Sequence, residues 1–280
     1  MAVVLSTGVM TESCTAGNLS DFLATFQRYY SYSPDAFSDP AARDFAEAVA
    51  AGRVGAALTA APAAPGGVNT LGAKGETGLL IAVERGRFRM AKALLEAGAD
   101  PNGGPDRAPL VYAMRENLPL ARLLLEAGAN PNGKLDGKPA LYWKAMSGEI
   151  KLIEMLLAAG ANIDEPDGLG NPPSFPAART GEWTTVEYLL DHGASMAIAD
   201  QNGGTLAGYA HFGHVDSENL QVKAEMRVIA RWQAAGLPWP VPRPAQLREI
   251  MARGEWPPAS FRDPRNSPPT PAPPGKAGAD

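Results

Sequence analysis

The sequence predicts an all-α fold: a solenoid of about six stacked helix-turn-helix units, preceded by an N-terminal helix and closed by a C-terminal helical cap. Three observations carry that expectation. The phrase LLEAGADPNGG at residues 94–104 returns as LLEAGANPNGK from Leu124, as LLAAGANIDEP from Leu156 and, in worn form, as LLDHGASMAIA from Leu189. Its central glycines, Gly98, Gly128, Gly160 and Gly193, stand 30, 32 and 33 residues apart, and a period of that length marks an array of small supersecondary units. Cys14 is the only cysteine, so no disulfide can form within the chain and the fold rests on packing.

Taken in chain order, residues 1–17 read as a flexible leader. MAVVLSTGVMTESC has no Lys or Arg and only a short apolar patch, a poor signal peptide, and Glu12 and Ser13 fit badly with lipid attachment at Cys14. In the segment 18–40, NLSDFLATFQRYY places Leu19, Phe22, Leu23 and Phe26 at helical spacing, with Asn18 or Ser20 as cap. SYSPDAFSDP then breaks the helix.

The stack is expected over 41–240, in units of approximately 41–70, 71–103, 104–133, 134–165, 166–198 and 199–240. The second unit is the clearest. Thr77 caps a short helix that runs through Leu79, Leu80, Ile81 and Ala82 and stops at Gly86; Met90, Leu94 and Leu95 then give the second helix its apolar stripe. Gly98 sits where that helix exits through a left-handed residue, flanked by Ala97 and Ala99, which allow close stacking. Asp100 and Asn102 are expected to hold the turn that follows by side chain-to-backbone bonds.

The other units vary this theme. The first carries an Ala/Pro/Gly-rich loop, and the third is one residue shorter between its helices. In the fourth, Lys144 replaces a small alanine. In the fifth, Pro172, Pro173 and Pro176 crowd the start of the first helix, where Pro176 would cost up to ~3 kcal/mol in a helix interior and less in the first turn. The sixth runs into a longer helix with Gly236 in the place of the repeated glycine; it is expected to have lost the regular exit and to act as a cap. A capping helix follows over 241–256, then a Pro-rich tail over 257–280, expected to be extended or disordered.

The helix start at Thr77 and the G-A-D-x-N exit at Gly98 coincide in register, and in both the chain resembles the ankyrin repeat from about residue 41 to 240. That resemblance implies a protein-binding scaffold whose first helices and projecting turns form a concave surface. Carried over position by position, it makes contact residues of Glu76, Glu84 and Arg85 in the second unit, and of Arg107, Tyr112, Arg115 and Glu116 in the third. The fourth contributes Lys138, Tyr142, Trp143, Lys144 and Met146, and the fifth Asn171, Phe175, Arg179 and Thr180. Tyr112 and Trp143 occupy a position often buried between layers. Charges of alternating sign on such a face are usually ordinary solvated surface.

Other classes find little support. A net charge of -5 argues against nucleic acid as partner, and no apolar run approaches the ~20 residues that cross a bilayer. His211 and His214 form H-x-x-H, but no third ligand stands at a familiar spacing, and zinc needs at least three. His192 precedes a repeated glycine, where its charge would complement a helix C-terminus. The glycine-rich stretches match no phosphate-binding fingerprint, and no serine lies in a nucleophile elbow. The expectation is a non-catalytic chain with no cofactor or metal, monomeric when free and soluble; the compartment is cytoplasmic as written and periplasmic where a leader has been removed.

The partner expected is another protein. Ala/Gly/Pro/Arg-rich usage suggests a GC-rich bacterial genome, and in its irregular outer repeats the chain is similar to bacterial immunity proteins. Those block a secreted antibacterial effector, commonly a lipase or phospholipase, of the kind exported by type VI secretion. The alternatives are a general adaptor or host-directed protein with another partner, and a metal-dependent enzyme built on His211 and His214.

Overall fold

The computed structural model describes residues 36–105, 107–210 and 219–258, with the side chains of Arg115 and Glu116 excepted. The leader, the helix expected over 18–30, Cys14, His211, His214 and the tail from residue 259 lie outside the described residues.

Helices come in pairs. The first unit holds α1 (Pro40–Ala51) and α2 (Val54–Ala60), the second α3 (Gly78–Glu84) and α4 (Phe88–Glu96), the third α5 (Pro109–Glu116) and α6 (Leu118–Glu126). A two-residue hairpin, β1 (Lys134–Leu135) and β2 (Lys138–Pro139), leads into α7 (Ala140–Met146) and α8 (Ile150–Ala158) of the fourth unit. The fifth holds α9 (Ser174–Thr180) and α10 (Trp183–Asp191). In the sixth, a 3-10 turn at Ala207–Tyr209 precedes α11 (Leu220–Ala234), and α12 (Pro244–Ala252) closes the described chain.

First helices stack in one row, α1 on α3 on α5 on α7 on α9, while second helices stack behind them, with α2 on α4, α4 on α6 and α10 on α11. One continuous apolar core runs between the rows, from Phe45 and Val49 through Leu94, Leu124 and Leu156 to Trp183 and Trp232. The fold is the all-α stack that the period predicts. The hairpin adds one element to it: Asp136 and Gly137 adopt φ of 51° and 71°, the left-handed pair that a two-residue turn requires.

The joints repeat as well. Between the two helices of a unit, Gly52, Gly86, Gly148 and Gly181 each donate to the carbonyl three residues back, and the next residue reaches five back. The third unit lacks the glycine, and Asn117 serves alone: its side chain caps α6 by accepting from Leu120 at 3.2 Å. At the far end of each second helix the same pair of bonds recurs at Gly98, Gly128, Gly160 and Gly193. Gly236 ends α11 in that way too, with Leu237 reaching Trp232, so the sixth unit keeps the exit that its sequence had obscured. Pro176 falls at the third residue of α9, where an N–H has no intrahelical partner to lose.

Asn102 does more than hold its own turn. Asp100 accepts from the Asn102 backbone at 2.9 Å, and the Asn102 side-chain oxygen crosses to the next layer to accept from Asn130 at 2.7 Å. The same rung joins Asn69 to Asp100 (2.7 Å), Asn132 to Asn162 (2.8 Å) and Asp164 to Ser195 (2.9 and 3.1 Å). Four rungs thus bind five layers along the exit edge.

The stack is closed at its C-terminal end by aromatic packing. Trp232 is fully buried, donates to Pro238 at 3.1 Å and stacks on Trp256, whose indole donates to Ala197 in the fifth unit at 2.9 Å. Arg248 of α12 donates to the Asn202 carbonyl at 2.7 Å.

Two measurements test this packing. A methyl at Gly78 would meet the buried Phe45 ring at 2.6 Å, so Gly78→Ala is expected to destabilise by about 1–3 kcal/mol in urea unfolding, although helix propensity alone would give a gain. Asp164 makes its rung with a carboxylate whose pKa burial raises above the usual range, offset in part by the Ser195 N–H. The raised value means that stability present at low pH is lost as pH rises through it. Asp164→Asn, which keeps an acceptor oxygen, is expected to raise the melting temperature by about 1–4 °C at pH 8, with the gain shrinking as the buffer is made acidic.

Candidate protein-binding face

The row of first helices carries two polar networks, and most of the residues expected to meet a partner belong to them. In the first, the Arg107 guanidinium donates to Tyr112 Oη at 3.1 Å, to Glu76 Oε1 at 3.3 Å and to the Lys74 carbonyl at 3.4 Å. Glu76 in turn accepts from the Lys74 backbone at 2.9 Å. Glu84 Oε1 lies 3.8 Å from Arg107, within ion-pair reach, and has no hydrogen-bond donor among the described residues.

Burial governs how these groups titrate. Glu84 is pushed up to about 7, by desolvation first, with Arg107 pulling it down and Glu76 adding to the rise. The Tyr112 hydroxyl is also raised, again by burial ahead of the opposing hydrogen bond from Arg107. This is a scaffold of charge, closed on itself, at the seam between the second and third units.

In the second network, Arg179 of α9 donates to Tyr142 Oη of α7 at 3.0 Å. Tyr142 meets Trp143 edge to face at 5.7 Å, and the Lys138 ammonium stands 5.9 Å from the first ring and 5.6 Å from the second, inside cation–π range. Thr180 donates across the layers to the Met146 carbonyl at 3.0 Å. Behind them Phe175 meets Tyr209 edge to face, and the Tyr209 hydroxyl, pushed up to about 12 by burial and by Asp200, donates to that carboxylate.

Burial therefore divides the expected contact residues. Arg85, Arg179 and Thr180 are exposed, whereas Glu84, Arg107, Tyr112, Lys138, Trp143 and Met146 are half-buried. Glu76, Tyr142, Lys144, Asn171 and Phe175 are buried, contrary to their expected role as contacts, and each has an internal task. Lys144 turns away to pair with Glu149 at 2.7 Å, and Asn171 donates to Asp167 from both its backbone and its side chain. Phe175 is core. Arg85 opens at the joint between α3 and α4 rather than among the hairpins. The side chains of Arg115 and Glu116 lie outside the described residues. The sequence reading missed the Asp200–Tyr209 pair and the hairpin; the Asp-Gly of KLDGKP was the available signal for the latter.

Among the described residues no three His, Cys, Asp or Glu side chains gather as a metal site, and no helix is long and apolar enough to cross a membrane. His192 caps the end of α10, its ring stacked on Tyr188 and its Nδ1 at 2.8 Å from the Tyr188 carbonyl.

The geometry defines a helical-hairpin solenoid with a structured inner row. The family described as "Ankyrin repeats (3 copies)" matches residues 48–135, 79–167 and 110–200, an unbroken span from 48 to 200 and more than half of the 280 residues. The chain belongs to the ankyrin-repeat family. No curated protein matches it significantly. The family match ends at residue 200, ahead of the 3-10 turn at Ala207–Tyr209 that stands in place of a first helix.

Glu84 supplies a test of this face. An acid whose folded pKa is raised to about 7 destabilises the fold progressively as pH climbs from about 4.5 through 7. Glu84→Gln removes that penalty: it is expected to be more stable than the parent by about 1–3 kcal/mol at pH 8, and close to equal at pH 5, in paired urea titrations.

Proposed function

We propose that the chain is a non-catalytic binding scaffold that grips another protein along its row of first helices. Ankyrin repeats indicate a protein-interaction module, and one observation supports the choice of face: its aromatic and cationic groups, buried at Tyr142, half-buried at Tyr112 and Trp143 and exposed at Arg179, are already held in place. Tyr112 is fixed by Arg107, Tyr142 by Arg179, and the Trp143 ring by Lys138 and its layer neighbours. Trp, Tyr and Arg are the residue types that concentrate binding energy, and side chains ordered in advance lose little entropy on docking. Within the row, Lys138, Trp143, Met146, Arg179 and Thr180 are the groups a partner would reach, with Arg85 set apart at the joint between α3 and α4.

The partner in this reading is a secreted toxic effector, a lipase or phospholipase, and the chain is the immunity protein that blocks it. The composition and the irregular outer units support it, as does a rigid face suited to holding an enzyme shut. The test is co-expression of the chain with candidate secreted lipases and phospholipases from adjacent genes, followed by size-exclusion chromatography and a viability assay. A stoichiometric complex and rescue of growth are expected. Arg179→Glu should weaken the complex by about tenfold or more and remove protection; because it also removes the bond to Tyr142, binding is compared at a temperature where thermal melting shows the variant folded. Full protection by a variant that carries Arg179→Glu and Lys138→Glu together would overturn the assignment of this face.

A further inference from the structure

The joints between first and second helices line up along the edge of the stack opposite the rungs. Arg87 donates to the Ala50 carbonyl at 3.2 Å, tying the second joint to the first, and a side chain at Gly86 would lie 3.6 Å from the Asn117 amide of the third. A recess of about 580 Å³ separates the joint at Asn117 from the one at Gly148. Along this edge three successive second helices, α4, α6 and α8, begin with an apolar residue that is not fully covered: Phe88 is 41% exposed, Leu118 39%, and Ile150 half-buried, whereas Trp183 at the start of α10 is buried. Arg87, Arg89 and Lys151 stand around them, all exposed. Two acids stand at this side of the recess: Glu149 is already bound to Lys144 and Ser147 at 2.7 Å each, and Glu182, whose carboxylate lies against Gly148, accepts from Gln221; the formal charges of Arg115 and Glu116 cancel.

Helix stability does not account for these cations. Arg87 is the N-cap of α4 and Arg89 its second residue, no acid stands in the first turn, and the helix ends on Glu96. That order opposes the helix dipole, at a cost of about 0.3–1 kcal/mol for each charge. Partly open apolar groups, a recess between them and exposed basic residues that outnumber the acids beside them, at one edge of a chain with net charge -5, ask for a common explanation.

We infer that this edge docks an acidic protein segment carrying apolar side chains. The apolar groups enter the recess between Leu118 and Ile150 and cover Phe88, while the carboxylates meet Arg87, Arg89 and Lys151. Since the rest of the surface is acidic on balance, the basic edge also dictates where such a segment lands. A protein fits better than an anionic bilayer, because the apolar side chains are more than half covered and the recess admits individual side chains. It fits better than nucleic acid, whose backbone has no use for the apolar row. The surface is distinct from the row of first helices and the inference does not depend on it.

The test uses the full chain and labelled peptides of about 12 residues, followed by fluorescence anisotropy. One peptide combines Glu and Asp with Leu and Phe at helical spacing, a second replaces the apolar residues by Ser, and a third replaces the acids by Lys. The first is expected to bind and the others to bind at least about tenfold more weakly. Arg89→Glu with Lys151→Glu should reduce its affinity by about tenfold or more, and Phe88→Ser with Leu118→Ser by about fivefold or more. Arg253→Glu, at the far end of the chain, should leave it unchanged. The charge-reversed pair is exposed and is expected to keep its melting temperature, so the test survives if the Ser variant fails to fold. Equal binding of the Ser peptide, indifference to Arg89 and Lys151, or tighter binding to phosphatidylserine vesicles or a short DNA duplex would each overturn the inference.

Discussion

The structure depends on one constraint: a pair of short helices cannot hide its apolar side from water by itself, so each layer must be set in register on the next. The rungs from Asn69, Asn102, Asn132 and Asp164 are the polar half of that solution. Each accepts an N–H just beyond a helix exit, a group that would cost about 1–3 kcal/mol if it were buried without a partner. Leu94, Leu124, Leu156 and Leu189 are the apolar half, fully buried four residues before each exit glycine. Because the glycine fixes the direction in which the chain leaves the helix, the leucine and the rung cannot shift independently. Register is thus set by the short phrase that the sequence repeats.

Much of this could be read from the residues, for reasons that differ between elements. Gly98 and its counterparts were legible because only glycine takes φ near 90° without strain, so the conformation leaves a mark on the sequence. The reach of Asn102 was not, because an asparagine that holds its own turn and one that crosses to the next layer look alike. Gly236 was read as an eroded exit because its flanking letters differ, although backbone bonds at an exit need the glycine and little else. The family signal fades at residue 200 for a related reason: the sixth unit keeps the backbone geometry of its exit without the repeated side chains.

The candidate face was legible in position and misleading in detail. Counting from the repeat pattern places Glu76, Tyr142 and Phe175 on the first-helix row, and they are there. What no single sequence can state is that Arg107 would draw Glu76 under its guanidinium, or that Lys144 would bend back to Glu149. Residue type cannot separate these outcomes, since Arg and Tyr serve equally well as interface anchors and as clamps between layers. The difference lies in the neighbour: each clamp pairs residues roughly one repeat apart, as Arg107 with Glu76 and Arg179 with Tyr142.

That observation explains why the two edges of the slab differ in character. A first helix lies between two others and beside the projecting hairpins, so a polar side chain on it finds a partner from an adjacent unit within reach. The networks there close, and burial then raises the pKa of groups such as Glu84 and Tyr209. A joint has neighbours on one side only and solvent on the other. Its side chains are therefore completed only where the adjacent unit happens to supply a partner, as Glu182 does for Gln221. At Arg89 and Lys151 no such partner is supplied among the described residues, and the surplus positive charge remains available to whatever approaches that edge.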